Sequence, residues 1–378
     1  MKHTRRHAFK LLGITLALGG LGLPASATYE DDDDDTASFR SGHVFTSTNA
    51  VAGNELLVYA APAGGALSLQ VRLSTQGSGT GTGLGNQGAV TLSGDGRHLF
   101  VVNTLSNSVS TFAIRRHGLV LKSVVDSGGQ RPISVTESNG TVYVLNAAGA
   151  GNVTGFRNVR GTLSALNSTQ PLSAATGTGA AQVGFSPDGD VLLVTEKATN
   201  NLTSYRVRRD GRLDAPLITA SAGATPFGFA FDKRGHALVS EAFGGAANAS
   251  AVSSYDFEAR APAKPMLVTA SLGTTQSAAC WVVVTPNSRY AYVTNTGSGT
   301  ISSYAIQRSG KLTLAQGIAA TSAGGPIDAA ISASGRSLFV LNAGSNRITS
   351  FSIAGDGKLS DSAMVTGLPA GSNVLAAN

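Results

Sequence analysis

Apolar and polar positions alternate along this chain in short runs, and the runs recur in a fixed order. A short apolar run is followed by a turn and a β-rich run ending in Asn or Glu. A loop of small residues, a run ending in an aromatic, a second turn and a further run complete the unit. The Asn/Glu position falls at Asn49, Asn103, Asn146, Glu196, Glu241, Asn295 and Asn342. Its paired aromatic falls at Tyr59, Phe112, Phe156, Tyr205, Tyr255, Tyr304 and Phe351. The unit recurs about every 43–54 residues, a period typical of propeller blades.

Each unit predicts four strands, a to d. In the fourth, strand a covers residues 183–186, strand b 191–195, strand c runs to Tyr205 and Val207, and strand d lies near 213–218. The a–b turn carries Pro187-Asp188-Gly189 and the c–d turn Arg209-Asp210-Gly211. Asp-Gly and Asn-Gly pairs supply the positive φ that tight hairpins need. Strands rich in Val, Leu, Phe and Tyr between such turns predict antiparallel meanders.

The two ends of the chain are offset by one strand. The repeat begins at His43-Val44-Phe45, which matches strand b, and ends at residues 372–377, which match strand a. Joining them completes the first blade and removes the open edges of an unclosed array. The expectation is an all-β chain: a seven-bladed β-propeller of four-stranded antiparallel blades, closed by the C-terminal strand pairing into the first blade. It spans residues 43–378.

Composition agrees with this and adds a leader. Gly is abundant at 47 residues and charged residues are few at 13%, as short strands and tight turns require. Residues 1–27 have the form of a signal peptide: basic Lys2, Arg5, Arg6 and Lys10, an apolar stretch over 11–23, and Ala25-Ser26-Ala27 before the cut. Arg5-Arg6 within residues 4–10 resembles a twin-arginine motif, so Tat and Sec routes are both open. The expected destination is the periplasm or the extracellular space. Residues 28–42, with the acidic run Glu30 and Asp31 to Asp35, are expected to be a solvated tail. The net charge of +6 is spread without a basic stripe between aromatics, so no nucleic acid is expected as partner. No membrane span is expected in the mature chain, which is expected to be a monomer. Cys280 is the only cysteine; it cannot form an internal disulfide and fits a buried small apolar site.

Tyr292-Val293-Thr294-Asn295 is the YVTN signature of a propeller family. With the repeat, it makes residues 43–378 resemble the seven-bladed lactonase family, which includes 6-phosphogluconolactonase and carboxymuconate-cyclizing enzymes. The resemblance implies hydrolysis of a sugar-derived or carboxylated lactone near the top of the central channel. The alternative is a non-catalytic propeller that binds a small molecule or a protein through its top-face loops.

Strand alternation assigns the polar residues to faces. Glu196, Lys197 and Glu241 follow strand b, on the top face formed by the b–c and d–a connections. Arg131, Gln182, Trp281 and Asp328 stand at strand a starts, near the channel mouth. His43, His98, His117 and His236 fall on the opposite, bottom face. The family carries His near the channel top; here Gln182 and Phe227 stand where one would be sought. Hydrolysis needs a base and an oxyanion donor. Glu241 matches in position a glutamate of the family's active site and is the candidate base. Glu196 and Arg131 complete the candidate catalytic set, with Arg131 stabilising charge. Lys197, Gln182, Trp281 and Asp328 are candidate ligand contacts. On this placement, Glu241→Gln would hardly change stability. The simpler alternative for Glu196 and Glu241 is that they replace the repeat's Asn and bond nearby backbone. No cofactor is expected; Ca²⁺ would suit Glu196, Glu241 and Asn oxygens best, and without a His/Cys cluster of zinc spacing no zinc is expected.

Overall fold

The computed structural model describes residues 39, 42–62, 66–257, 263–322 and 324–378. The leader, its cleavage site and the acidic run lie outside them. Among the described residues, twenty-eight strands form seven four-stranded antiparallel sheets. Only two short 3₁₀ turns, Phe243–Gly245 and Ala343–Ser345, interrupt the described strands and loops. No helix among the described residues is long and apolar enough to cross a membrane.

Six blades are sequential meanders, and one is not. Blade 1 joins the C-terminal strand Asn373–Ala377 to His43–Ser47, Glu55–Ala60 and Ser68–Ser74. The C-terminal strand lies in position a and pairs with position b, Val44 facing Ala377 and Phe45 facing Ala376. The predicted offset of the two ends is therefore the ring closure. Val374 and Leu375 are buried in the seam.

One boundary differs from expectation. Strand d of blade 4 is Leu217–Ala220, whereas the sequence placed its start at Leu213. Leu213 makes only an isolated bridge to Val207. Pro216 directly precedes Leu217 and has no N–H for the ladder.

The paired aromatics are core residues. Phe112, Tyr205, Tyr255, Tyr304 and Phe351 are almost wholly inaccessible, filling the layers between blades. The innermost strands pose a different problem: each has a sheet partner on one side only. Neighbouring blades supply the missing bonds. Val135 N–H donates to Gly88 O at 2.8 Å. Val183 N–H donates to Ser134 Oγ at 3.2 Å. The Gln182 amide accepts from Phe229 N–H at 2.7 Å and donates to Phe229 O at 3.0 Å. Ser240 Oγ donates to Cys280 O at 2.6 Å, and Thr296 Oγ1 to Pro326 O at 2.7 Å. Leu375 N–H donates to Asp328 Oδ2 at 2.8 Å, and Asn373 Nδ2 to Asn86 Oδ1 at 3.0 Å. Every seam between adjacent blades is thus bridged.

Asp328 bridges the closing seam as a fully buried carboxyl. Burial pushes its pKa up to about 8, against the lowering effect of the Leu375 and Ala329 N–H groups that it accepts. An unfolded Asp ionises near 3.8, so the folded state retains a proton that the unfolded state releases. Asp328 therefore favours folding most at low pH, and the contribution is lost as pH rises from about 4 through about 8. Equilibrium urea unfolding of wild type and Asp328→Ala should show this: the gap between them narrows or reverses from pH 5 to pH 9. A gap that widens with pH would contradict the placement. Deleting residues 367–378 should cost at least about 3 kcal/mol through loss of Val374 and Leu375 burial alone, seen as a large drop in melting temperature. A truncated chain that melts like the full one would refute the closure.

Candidate functional site

In six blades the repeat's Asn or Glu sits at the end of strand b, whereas in blade 1 strand b ends at Ser47 and Asn49 lies two residues beyond it; in all seven the side chain is buried. Its work is to tie strand b to the loops on either side. Asn103 Nδ2 donates to Ser110 Oγ at 2.8 Å, while its Oδ1 accepts from Thr75 Oγ1 at 2.7 Å. Asn295 makes the same bond to Ser302 at 2.8 Å. Glu196 and Glu241 stand in the same place. Glu196 accepts from Ser173 N–H at 3.0 Å, Thr203 at 2.6 Å, Thr199 at 2.9 Å and the Ser173 hydroxyl. Glu241 accepts from Gly223 N–H at 2.8 Å, Ser253 at 2.5 Å and the Ser271 hydroxyl. Both carboxylates are completely inaccessible. Ser and Thr donors surround them because a charged acceptor without a cation needs several hydrogen bonds.

This corrects the expected placement of Glu241 and Glu196 at an open mouth. They lie beneath the d–a loops, and a Cβ on Gly223 would meet Glu241 Oε2 at 2.1 Å. The brace also corrects the expectation for stability. In Glu241→Gln, an NH₂ would replace one oxygen and face a donor, so the variant should lose about 1–3 kcal/mol, read from its denaturant midpoint. An unchanged midpoint would show that the carboxylate is not the brace described here.

The other candidates separate into two groups. Asp328 is buried in the closing seam, and Gln182 is half-buried with its amide held by Phe229. Trp281 is 4% exposed, and its indole N–H donates to Asn86 O at 2.7 Å. These three stand in the inner ring but not at an open mouth, because each polar group answers an unpaired backbone atom. Trp281 joins Phe227, Cys280, Ala181 and Ala242 in an apolar cluster, the Phe227 and Trp281 centroids being 5.0 Å apart. Burial raises the Cys280 thiol to about 11, which keeps it un-ionised and unreactive at neutral pH.

Lys197 and Arg131 form the second group. Lys197 is half-buried; its ammonium stands 4.4 Å from the Phe227 centroid and donates to Gly85 O. Burial, reinforced by the Arg131 charge, brings its pKa down to about 8. Arg131 is exposed. Its positive φ of 58° recurs at Gly179, Thr225, Ala278 and Gly325, each at a strand a start. The unusual backbone is therefore part of the repeat and not a strain peculiar to Arg131.

Asn86 and Gln87 escaped notice in the sequence. They belong to the Gly- and Thr-rich loop before strand a of blade 2, and both are buried. Asn86 donates to Ile133 O, Gln87 N–H to Ala181 O at 3.2 Å, and Gln87 Nε2 to Val282 O at 3.1 Å. One loop from blade 2 thus reaches blades 3, 4 and 6 across the channel. The only hint was an Asn-Gln pair in an otherwise small-residue loop. Of the histidines, His236 is buried on the bottom face against Asp232, at 3.0 Å. Among the described residues no three His, Cys, Asp or Glu gather as metal ligands.

Comparison with known proteins agrees with this architecture. The periplasmic gluconolactonase of Pseudomonas aeruginosa has a TM-score of 0.65 at 16% identity, over 88% of this chain and 98% of that one. A candidate 6-phosphogluconolactonase from Bacteroides uniformis has a TM-score of 0.69 at 16% identity, over 87% and 98%. A functionally unknown protein from Desulfotomaculum acetoxidans has a TM-score of 0.68 at 15% identity, over 88% and 97%. At these identities the likeness shows the fold alone. No curated protein matches the chain in sequence. The profile of the lactonase, 7-bladed beta-propeller family matches residues 52–162, 135–259 and 249–375, and with nearly the whole ring matched, the chain belongs to that family.

Proposed function

We propose that the top-face mouth binds a small anionic ligand of the carboxylated or sugar-derived lactone class, and that it serves binding in the first place. The observation that carries this is the contrast in charge. Glu196 and Glu241 are sealed and fully hydrogen-bonded, while Lys197 and Arg131 are the candidate groups left at the surface. A half-desolvated ammonium beside a guanidinium attracts a carboxylate, and a partly dry setting strengthens that attraction.

Lactone hydrolysis is the second reading, supported by membership of the family and by neighbours described as lactonases. It needs a base. Glu241 would serve only after releasing Gly223, Ser253 and Ser271. Lys197, already near pKa 8, can take up a proton without such opening, with Arg131 stabilising the developing charge. Export through the leader accompanies both readings, supported by the arrangement of residues 1–27. Replacing Arg5 and Arg6 together with Lys should block secretion if the route is Tat; unchanged secretion would point to Sec.

Calorimetric titration of the mature protein with a carboxylated lactone and with its ring-opened acid separates the readings. Binding of both without turnover is the expected result. Lys197→Met and Arg131→Gln should each weaken it about tenfold, the equivalent of 1.4 kcal/mol, and wild-type affinity should fall as pH rises past 8 and Lys197 loses its charge. Ring opening that drops about 10²–10⁴-fold in Lys197→Met would establish hydrolysis instead. Absence of both binding and turnover across such ligands would overturn the assignment of the mouth.

A further inference from the structure

The central channel is crossed by a side chain and holds a cavity that opens on the bottom face. Gln87 lies across it at mid-height, with Asn86 and Trp281 above, all three buried. Below Gln87 a cavity of about 470 Å³ runs to the bottom face, where Pro286 and Ala333 are exposed at its rim. That is the opposite end from Lys197 and Arg131, and the volume falls within the range of small-molecule sites.

Its wall has a distinct chemistry. None of the lining residues is Asp, Glu, Lys, Arg or His. Phe185, Phe229 and Phe231 come from blades 4 and 5; Val135, Val282 and Ile331 come from blades 3, 6 and 7. The aromatic rings are held in place from behind. Phe231 makes edge contacts with Phe229 at 5.8 Å and Phe257 at 5.6 Å, and Phe185 with Tyr143 at 6.0 Å. Phe185 and Phe231 are nonetheless only half-buried, so part of each ring borders the empty space. The polar groups that line it are largely engaged. Both ends of the Gln87 amide bond Val282, both ends of the Gln182 amide bond Phe229, and Thr91 Oγ1 donates to Val135 O at 2.8 Å. Thr136 Oγ1 accepts from Phe185 N–H at 3.4 Å and keeps a proton to give.

We propose that this cavity is a binding site for an uncharged, mainly apolar small molecule built on an aromatic or alicyclic ring, taken up from the bottom face. A charged ligand would lose its hydration without gaining a counter-charge. Fixed aromatic rings favour a ring that can stack against them. The hydroxyls of Thr136 and Ser332 can satisfy a carbonyl or ether oxygen. The site is independent of the mouth above it, and either can fail without the other.

The neutral fluorophore N-phenyl-1-naphthylamine, titrated into the full mature chain, tests this. Saturable one-to-one binding with a blue-shifted emission is expected. The double variant Phe185→Ala/Phe231→Ala should weaken it at least about tenfold, since two buried aromatic contacts together exceed 1.4 kcal/mol. Ala333→Trp, a change at an exposed rim position that leaves the wall untouched, guards against misfolding of the double variant and should also weaken uptake. Lys197→Met should leave uptake unchanged. The proposal is overturned if the wild type takes up no neutral probe. It is equally overturned if decanoate displaces the probe as well as a neutral ring compound does, or if both wall and rim variants bind like wild type.

Discussion

The innermost strand of a propeller blade has a free edge, and much of this structure follows from how that edge is satisfied. An unpaired buried N–H or C=O is costly, so each must find a partner. Here the partners come from the next blade: Ser134 for Val183, Gln182 for Phe229, Ser240 for Cys280 and Asp328 for Leu375. Side chains do across each seam what a ladder does within a sheet. The seven blades become one ring, and the chain that lacks any disulfide partner for Cys280 is held by closure instead.

The same requirement shapes the channel. Gly88, Gln87 and Asn86 leave the loop of blade 2 to bond blades 3, 4, 6 and 1. In doing so they cross the channel above the cavity of its lower end. Trp281 and Phe227 fill the space above, and Lys197 lies over Phe227 as a half-dry cation. The family's ring thus carries a packed apolar cluster at the strand a starts on its upper side. The glutamates at the strand b ends occupy a structural position of the repeat, where a carboxylate accepts more bonds than Asn can. The proposed site has cations at its rim, with Glu196 and Glu241 sealed away from it.

The repeat made the architecture legible. Asn/Glu and aromatic positions recur because each blade solves one problem of burial in the same way, and the offset of the two ends identifies the closing strand. Exposure was harder to read. Glu241, Gln182, Trp281 and Asp328 lie on the predicted strand ends, yet whether such a side chain meets solvent or a neighbouring backbone depends on the next blade, some fifty residues away in sequence. Asn86 and Gln87 were hidden for the same reason: a loop of Gly, Ser and Thr gives no sign that it crosses a channel. The start of strand d in blade 4 was misplaced because hydrophobic pattern outweighed the missing N–H of Pro216.

Native-state hydrogen exchange of the inner-strand amides tests the ring most directly. Val135, Val183, Phe229 and Leu375 donate across four different seams. If the seams hold one cooperative ring, these four amides exchange only through global unfolding, with a common free energy and a common denaturant dependence. A Leu375 amide that opens at markedly lower free energy than the other three would show the closing seam to be a local latch, and the single-ring account would fail.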